Sequence, residues 1–142
     1  MSLKELEAKN QWAFEEAWYK GNVDAFDEVY AADIVWHQPP FPDVSGLEAV
    51  KQGTAGMRLA YSAIQIAFAE WIAEGDAIAY RLTMRMKHTG VSPTLPIPPT
   101  GKEVTLEGCI VAHVKDGKVI EEFEYSDYLG YLQQLGVVPP LG

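Results

Sequence analysis

The chain has 142 residues, of which 48% are hydrophobic and 22% charged, a composition typical of a globular domain and unlike a disordered or fibrous chain. Its net charge of -9 would repel nucleic acid and an anionic membrane surface, so neither is an expected partner. A single cysteine excludes an internal disulfide, and the N-terminus lacks the apolar segment of a signal peptide. These features predict one domain over residues 1–142 of a soluble, cytoplasmic protein.

Apolar residues at helical spacing predict three helices and one strand in the first 61 residues. The first helix opens with a capping box, SLKE, and runs over about 2–19, and the second spans 22–30. A β-prone segment over 34–38 ends where two prolines begin the loop PPFPDVSG. A second capping-box pattern, SGLE at 45–48, predicts a third helix that ends near residue 61.

From residue 64 the apolar pattern changes to a period of two, which predicts four strands, at 64–73, 77–88, 104–114 and 119–126. EGD and KDGK join them in pairs as hairpins. The proline-rich segment 90–101 is long for a hairpin and is interpreted as a lid or rim loop or as a rigid surface loop. A last helix follows Asp127. This order predicts an α+β fold whose curled sheet wraps around the helices.

The predicted strand 77–88 lies in a stretch without acidic residues that runs to residue 102 and contains four bases. These bases are either countercharge for the acidic last strand or an anion site. Alternation along the strand separates Leu82, Met84 and His88 from Arg81. Arg81 is therefore expected to point outward, unless both faces of the sheet are buried.

Metal, nucleotide and nucleophile chemistry find no support in the spacing of residues. His37, His88 and His113 lie on three different predicted strands, and no H-E-x-x-H motif or cysteine pair is present, so no metal is expected. No glycine-rich phosphate loop follows a strand, so no nucleotide cofactor is expected. Cys109 lies in mid-strand between apolar residues and is interpreted as structural.

Acid–base chemistry by carboxylates is the remaining possibility. On the last strand Glu122 and Glu124 alternate onto one face with Ile120, and Val119 and Glu121 take the other face with Phe123 and Tyr125. Two glutamates on one enclosed face would raise each other's pKa, which suits one of them to donate or accept a proton. The alternative is an edge strand with solvated charges.

Four stretches of the chain resemble the SnoaL-like polyketide cyclases, a branch of the nuclear-transport-factor-two-like superfamily: DIVWHQPPFPDVSGLEAV, AEGDAIAYRLTMRMKHTG, IPPTGKEVTLEG and DGKVIEEFEYSDYLGYLQQLG. The resemblance runs from about Asn10 to Gly136. It implies a cystatin-like α+β barrel, in which N-terminal helices close a cone-shaped, antiparallel or mixed sheet around an apolar pocket. It also implies a homodimer through the outer sheet face. The Leu/Met face of strand 77–88 would then be buried in the dimer, and Arg81 would point into the cone.

The resemblance also suggests roles for single residues. Glu124 takes the place of the catalytic acid of cyclases that close polyketide rings by intramolecular aldol condensation, while Ile110 and Trp36 replace an assisting histidine and an asparagine. The limonene-type epoxide hydrolases are a second similar group. Their arginine falls on Arg81 and their two aspartates fall on Glu124 and Thr83.

The sequence thus predicts a cofactor-independent enzyme that acts on a small apolar substrate, by cyclisation or isomerisation. Glu124 would move a proton at a carbon next to a carbonyl, and Arg81 or Gln38 would steady the oxyanion. An epoxide hydrolase and a non-catalytic ligand-binding domain are the alternatives. The roles of His37 and Asp127 stay open, since Asp127 also suits a helix N-cap. The predicted catalytic residues are Glu124 and Arg81, and the predicted substrate-binding residues are Trp18, Trp36, Gln38, His88, Ile110, Glu122 and Asp127.

Overall fold

The computed structural model describes residues 2–93 and 95–142, which form helices packed on one curved sheet. None of the helices in these two ranges is long and apolar enough to cross a membrane. The elements in chain order are α1 (Leu3–Lys20), a 3₁₀ helix (Val23–Glu28), β1 (Tyr30–His37), β2 (Val44–Ser45), α2 (Leu47–Ala60), β3 (Tyr61–Glu74), β4 (Ala77–His88), β5 (Glu103–Lys115), β6 (Lys118–Ser126) and α3 (Tyr128–Gln134).

The first helix begins as predicted, but the second is shorter and tighter than predicted. Ser2 Oγ accepts a hydrogen bond of 3.1 Å from the backbone N–H of Glu5, which satisfies one donor at the start of α1. In place of the α-helix predicted over 22–30 the chain forms a 3₁₀ helix of six residues. Asn22 makes no side-chain cap bond there, and β1 already begins at Tyr30.

The prediction of a capping box at 45–48 is wrong, although the helix predicted to follow it is present. Ser45 pairs with Val35 as part of β2, so its side chain does not cap α2. Gly46 precedes the helix with a φ of 92° and donates its backbone N–H to the Ile34 carbonyl at 2.7 Å. The positive φ explains why a glycine stands at this position.

The sheet has the strand order β2-β1-β6-β5-β4-β3. The β1–β6 pair is parallel and the other neighbours are antiparallel. The KDGK hairpin is confirmed: Asp116 and Gly117 have φ values of 51° and 76°, which two-residue hairpin turns favour. The edge strands β2 and β3 do not pair with each other, so the sheet curves without closing. The predicted α+β class with a curved mixed sheet is confirmed.

The hydrophobic core lies on the concave face of the sheet, under α1 and α2. Every second residue of β4 from Ile78 to His88 is buried, whereas Arg81 and Arg85 are exposed. This alternation is the one expected from the sequence pattern of β4 alone. The first helix packs against this face of the sheet. Its Phe14 ring contacts Phe68 of β3 edge-on, at 5.6 Å between ring centroids.

The alternation expected for β6 is interrupted by a register shift. His113 pairs with Glu121, but the next residue of β5, Val114, pairs with Val119, so Ile120 is an extra residue in β6. Val119 is therefore fully buried on the same side as the carboxyl of Glu122. The sequence prediction, which put Val119 on the face opposite Glu122, is wrong because a bulge reverses the alternation.

Candidate active site

A cavity of about 480 Å³ lies between the concave face of the sheet, the helices α1, α2 and α3, and the loop after β1. Apolar side chains form most of its wall, among them Met57 from α2 and Met84 from β4. A pocket of this size suits a small organic ligand. The cavity brings together six of the predicted site residues: Trp18, Trp36, Gln38, Ile110, Glu122 and Glu124.

Glu122 is buried in the wall of this cavity, with 4% of its surface exposed. The parallel register sets it beside Trp36, and its Oε1 accepts a hydrogen bond of 2.8 Å from Tyr30 Oη. Burial raises the pKa of Glu122 to about 8; the hydrogen bond from Tyr30 opposes this rise and the charge of Glu124 adds to it. The carboxyl of Glu122 is therefore protonated at neutral pH.

Glu124 lines the cavity two residues further along β6. Its Oε2 accepts hydrogen bonds of 2.8 Å from Ser126 Oγ and 2.5 Å from Tyr128 Oη. Burial, mainly, raises the pKa of Tyr128 far above its usual range, so this phenol keeps the proton that it donates. These two hydroxyl donors fix the orientation of the Glu124 carboxyl group in the pocket. The other oxygen, Oε1, has no hydrogen-bond partner among the described residues.

The two glutamates therefore sit in opposite environments within one pocket. Glu122 is enclosed and neutral, whereas Glu124 is held by two hydroxyl donors. Neighbouring carboxyls with environments that differ in this way are typical of sites that use one group as an acid and the other as a base.

Hydrogen-bond donors without partners are a second feature of the wall. Gln38 borders the cavity, and its side-chain amide has no partner in the described part of the chain. The indole N–H groups of Trp18 and Trp36 and the hydroxyl of Thr54 are buried in the same wall, also without partners among the residues described. An amide N–H at the pocket surface can donate to an oxygen of a ligand.

Two tyrosines from distant parts of the chain meet beside the cavity. The hydroxyls of Tyr61, where β3 begins, and Tyr131, on α3, are hydrogen-bonded to each other. Both side chains are buried, and burial is the main cause that raises the pKa of each. Tyr131 lines the cavity, and its ring lies 5.9 Å from that of Tyr128 at 86°.

The loop between β1 and β2 forms one side of the pocket. Phe41 lines the cavity and packs edge-on against the ring of Tyr128, at 4.9 Å between centroids. His37, the last residue of β1, anchors this loop: its Nε2 is 2.7 Å from Glu121 of β6, and its Nδ1 is 3.1 Å from Asp43 at the far end of the loop. The hydrogen bond with Glu121 is the main cause that raises the pKa of His37. His37 thus supports the wall without lining the cavity.

Arg81 lies on the convex face of the sheet, so its expected position inside the cone is wrong. Its side chain is 58% exposed, and Nη2 forms an ion pair of 2.9 Å with Glu70 of β3. Alternation along β4 turns Arg81 away from the cavity, because Leu82 and Met84 occupy the concave side. The countercharge of Arg81 is on β3 and not on the acidic strand β6, which β5 separates from β4.

The Leu/Met face of β4 has a different partner from the one that the family resemblance implied. Leu82, Met84 and Met86 line the cavity, so the expectation that a second subunit buries them is wrong. Helices of the same chain cover this face because it is the concave side of the sheet. A homodimer through the outer sheet face stays a prediction.

His88 and Asp127 are not among the residues that line the cavity. His88 is buried, and its Nδ1 accepts a hydrogen bond of 3.2 Å from the backbone N–H of Thr100, which fixes the segment before β5. Asp127 caps α3 by accepting a hydrogen bond of 2.9 Å from the Gly130 N–H. Across residues 2–93 and 95–142, no group of three or more His, Cys, Asp and Glu side chains could hold a metal ion.

Sequence reasoning missed the polar residues Ser126, Tyr128 and Tyr131 of the site, and also Asp43 and Thr54 of the cavity lining. The spacing of the two tyrosines, three residues apart on a predicted helix, indicated a shared face but not what that face would cover. Leu95 lines the cavity, so the segment 90–101 contributes to the pocket rim, one of its two interpretations. Thr94, within this segment, lies outside the described residues.

Solved structures with this fold include a candidate cyclase, a candidate hydroxylase and an epoxide hydrolase. A candidate SnoaL-like polyketide cyclase from Jannaschia sp. CCS1 matches with a TM-score of 0.82 at 19% identity, over 99% of this chain and 98% of that one. AclR, a candidate hydroxylase from Streptomyces galilaeus, matches with a TM-score of 0.79 at 26% identity, over 99% and 87%. An LEH-like epoxide hydrolase from M. tuberculosis matches with a TM-score of 0.69 at 18% identity, over 93% and 90%.

These structural likenesses establish the fold, which is shared by proteins with different chemistry. Among the curated proteins searched, none matches the chain. The family model for SnoaL-like polyketide cyclases matches residues 9–135, which is most of the chain. The chain therefore belongs to the SnoaL-like polyketide cyclase family.

Proposed function

We propose that the chain is an enzyme that moves a proton at a carbon next to a carbonyl of an apolar cyclic or polyketide-like substrate. The reaction would be an intramolecular aldol-type cyclisation or an isomerisation. The observation that carries the proposal is the pair of carboxyls Glu122 and Glu124 in one apolar cavity, of which one is buried and neutral and the other is held by hydroxyl donors.

In this proposal Glu124 is the base. Its Oε1 takes a proton from the carbon next to the substrate carbonyl, and the electron pair of that C–H bond forms an enolate. Tyr128 and Ser126 hold the other oxygen, so the carboxylate cannot turn away from the pocket. The apolar walls exclude water and strengthen each electrostatic contact in the site.

Glu122 supplies the proton that the product oxygen needs. In a ring closure the enolate carbon attacks a second carbonyl of the same substrate, and the oxygen of that carbonyl takes the proton of Glu122. With a pKa of about 8, Glu122 carries this proton at neutral pH and can release it to an alkoxide. Proton return from Glu124 to Glu122 through solvent resets the site. The Gln38 amide is the candidate donor to the enolate oxygen, a role for which Arg81 is on the wrong face.

The test uses 2-tetralone, a bicyclic ketone whose α-protons exchange with deuterium and can be followed by NMR. We expect the protein to accelerate this exchange, and Glu124→Gln to lower the acceleration by about 100-fold or more. Glu107→Gln is the matched control, because Glu107 is an exposed glutamate of β5 outside the cavity lining. If wild type does not accelerate exchange, or if Glu124→Gln exchanges as fast as wild type, the proposal is wrong.

The alternatives make different predictions in the same experiment. A non-catalytic ligand-binding domain would bind the ketone without accelerating exchange. Epoxide hydrolysis has less support, because Arg81 and Thr83 belong to the strand positions that alternate away from the cavity. Of the three positions that correspond to the arginine and the two aspartates of those enzymes, only Glu124 lines the cavity.

A further inference from the structure

The two tyrosines of α3 present their hydroxyls to different parts of the site. Tyr128 and Tyr131 are one helical turn apart, and both line the cavity. The Tyr128 hydroxyl donates to Glu124, whereas the Tyr131 hydroxyl is paired with Tyr61. A ligand that lies along this face of α3 therefore meets the carboxylate first and the Tyr61–Tyr131 pair one turn further on.

The Tyr61–Tyr131 pair has one hydroxyl donor more than the hydrogen bond between the two residues uses. Burial raises the pKa of both phenols, so both are protonated and the pair holds two hydroxyl protons. The hydrogen bond between the two hydroxyls uses one proton, and the described residues offer no acceptor for the second. A donor left without an acceptor in an apolar site is unfavourable. An acceptor oxygen on a ligand would take the hydrogen bond that the second hydroxyl can donate.

We propose that the Tyr61–Tyr131 pair is a second polar subsite of the pocket, which binds a carbonyl or ether oxygen of the ligand remote from the reacting carbon. Tyr131 makes the contact, because Tyr131 lines the cavity and Tyr61 does not. Either hydroxyl of the pair can be the donor of the bond that joins them, so Tyr131 is free to donate to the ligand while Tyr61 donates to the Tyr131 oxygen. The inference that this oxygen is remote from the reacting carbon rests on the proposed function, whereas the binding contact itself does not.

The test compares 9-fluorenone with fluorene, two tricyclic probes that differ by one carbonyl oxygen. Fluorenone has no enolisable proton, so its binding is independent of catalysis. Binding is followed by quenching of tryptophan fluorescence, since Trp18 and Trp36 line the cavity. We expect Tyr131→Phe to weaken fluorenone binding by about two- to tenfold, the value of one neutral hydrogen bond, and to leave fluorene binding unchanged. We expect Tyr61→Phe to weaken fluorenone binding by a smaller factor than Tyr131→Phe does, and to leave fluorene binding unchanged.

Tyr125→Phe is the matched control, because Tyr125 is 60% exposed and outside the cavity lining. Fluorene binding to each variant reports that the pocket is intact. An equal loss of both probes in Tyr131→Phe would overturn the proposal and assign Tyr131 a packing role only. No preference for fluorenone in wild type would overturn it as well. The proposed function is judged separately, by deuterium exchange in Glu124→Gln, so either proposal can fail while the other stands.

Discussion

His37 on β1 and Glu121 on β6 are joined by a hydrogen bond of 2.7 Å, and the other nitrogen of the same imidazole contacts Asp43 at the far end of the pocket loop. A neutral imidazole has one N–H and can donate to one carboxylate, whereas the protonated ring donates to both. The loop that carries Phe41 is therefore held most firmly when His37 is charged.

This arrangement predicts a pH-dependent contribution to stability. The contacts raise the pKa of His37 in the folded state. Their contribution is therefore complete below the unfolded value of about 6.5 and is lost as the pH rises through the folded value. We expect His37→Asn to cost up to about 1 kcal/mol at pH 5.5 and less at pH 8.5. Urea denaturation at both pH values measures this, and an equal cost at both would contradict it.

Glu122 predicts a pH dependence of a different origin. Its folded pKa of about 8 lies above the ordinary value of 4.5, so the folded state keeps a proton that the unfolded state loses. Stability should then fall as the pH rises from about 4.5 to 8 and level off above that. Glu122→Gln removes the titration and should gain stability over wild type across this range, by on the order of a few kcal/mol. Parallel stability curves for the two proteins would show that Glu122 titrates normally.

Gly108 of β5 is predicted to be essential for the position of Ser126. A Cβ at this glycine would lie 2.0 Å from Ser126 Oγ and 2.8 Å from Ser126 Cα, so β6 would have to move. We expect Gly108→Ala to lower the free energy of unfolding by about 1–3 kcal/mol and to slow the deuterium exchange that depends on Glu124. Gly53→Ala, in α2, is the contrasting variant, because a Cβ at Gly53 would have no neighbouring atom within 4 Å. This substitution should stabilise the helix by up to about 1 kcal/mol. Equal stabilities of the two variants would refute the steric argument.

Arg81 should be dispensable for the chemistry. Its partner Glu70 is also exposed, and an ion pair between exposed side chains contributes about 0–1 kcal/mol. We expect Arg81→Gln to change the stability by no more than this and to leave the exchange rate of 2-tetralone within twofold of wild type. A large loss of exchange in Arg81→Gln would contradict this prediction and would support the catalytic role that the family resemblance implied for Arg81.

The order of the long helices and strands could be predicted from the sequence because each depends on local chemistry, whereas the two-residue strand β2 was not predicted. A serine cap starts α1, a period of two marks the strands, and Asp116 with Gly117 suits a tight hairpin. The orientation of Arg81 also followed from alternation along β4. The resemblance to cyclases and epoxide hydrolases reversed that orientation, and the reversal was wrong.

Features that depend on residues far apart in the chain could be found only from the tertiary structure. One extra residue in β6, recognisable only from its pairing with β5, turned Val119 to the concave face. Burial, and not the spacing of the glutamates, is the main cause of the raised pKa of Glu122. The Tyr61–Tyr131 contact joins residues 70 positions apart. The sequence by itself determined which chemical groups were available, and packing decided which of them share a pocket, because desolvation and hydrogen bonding act through space and not along the chain.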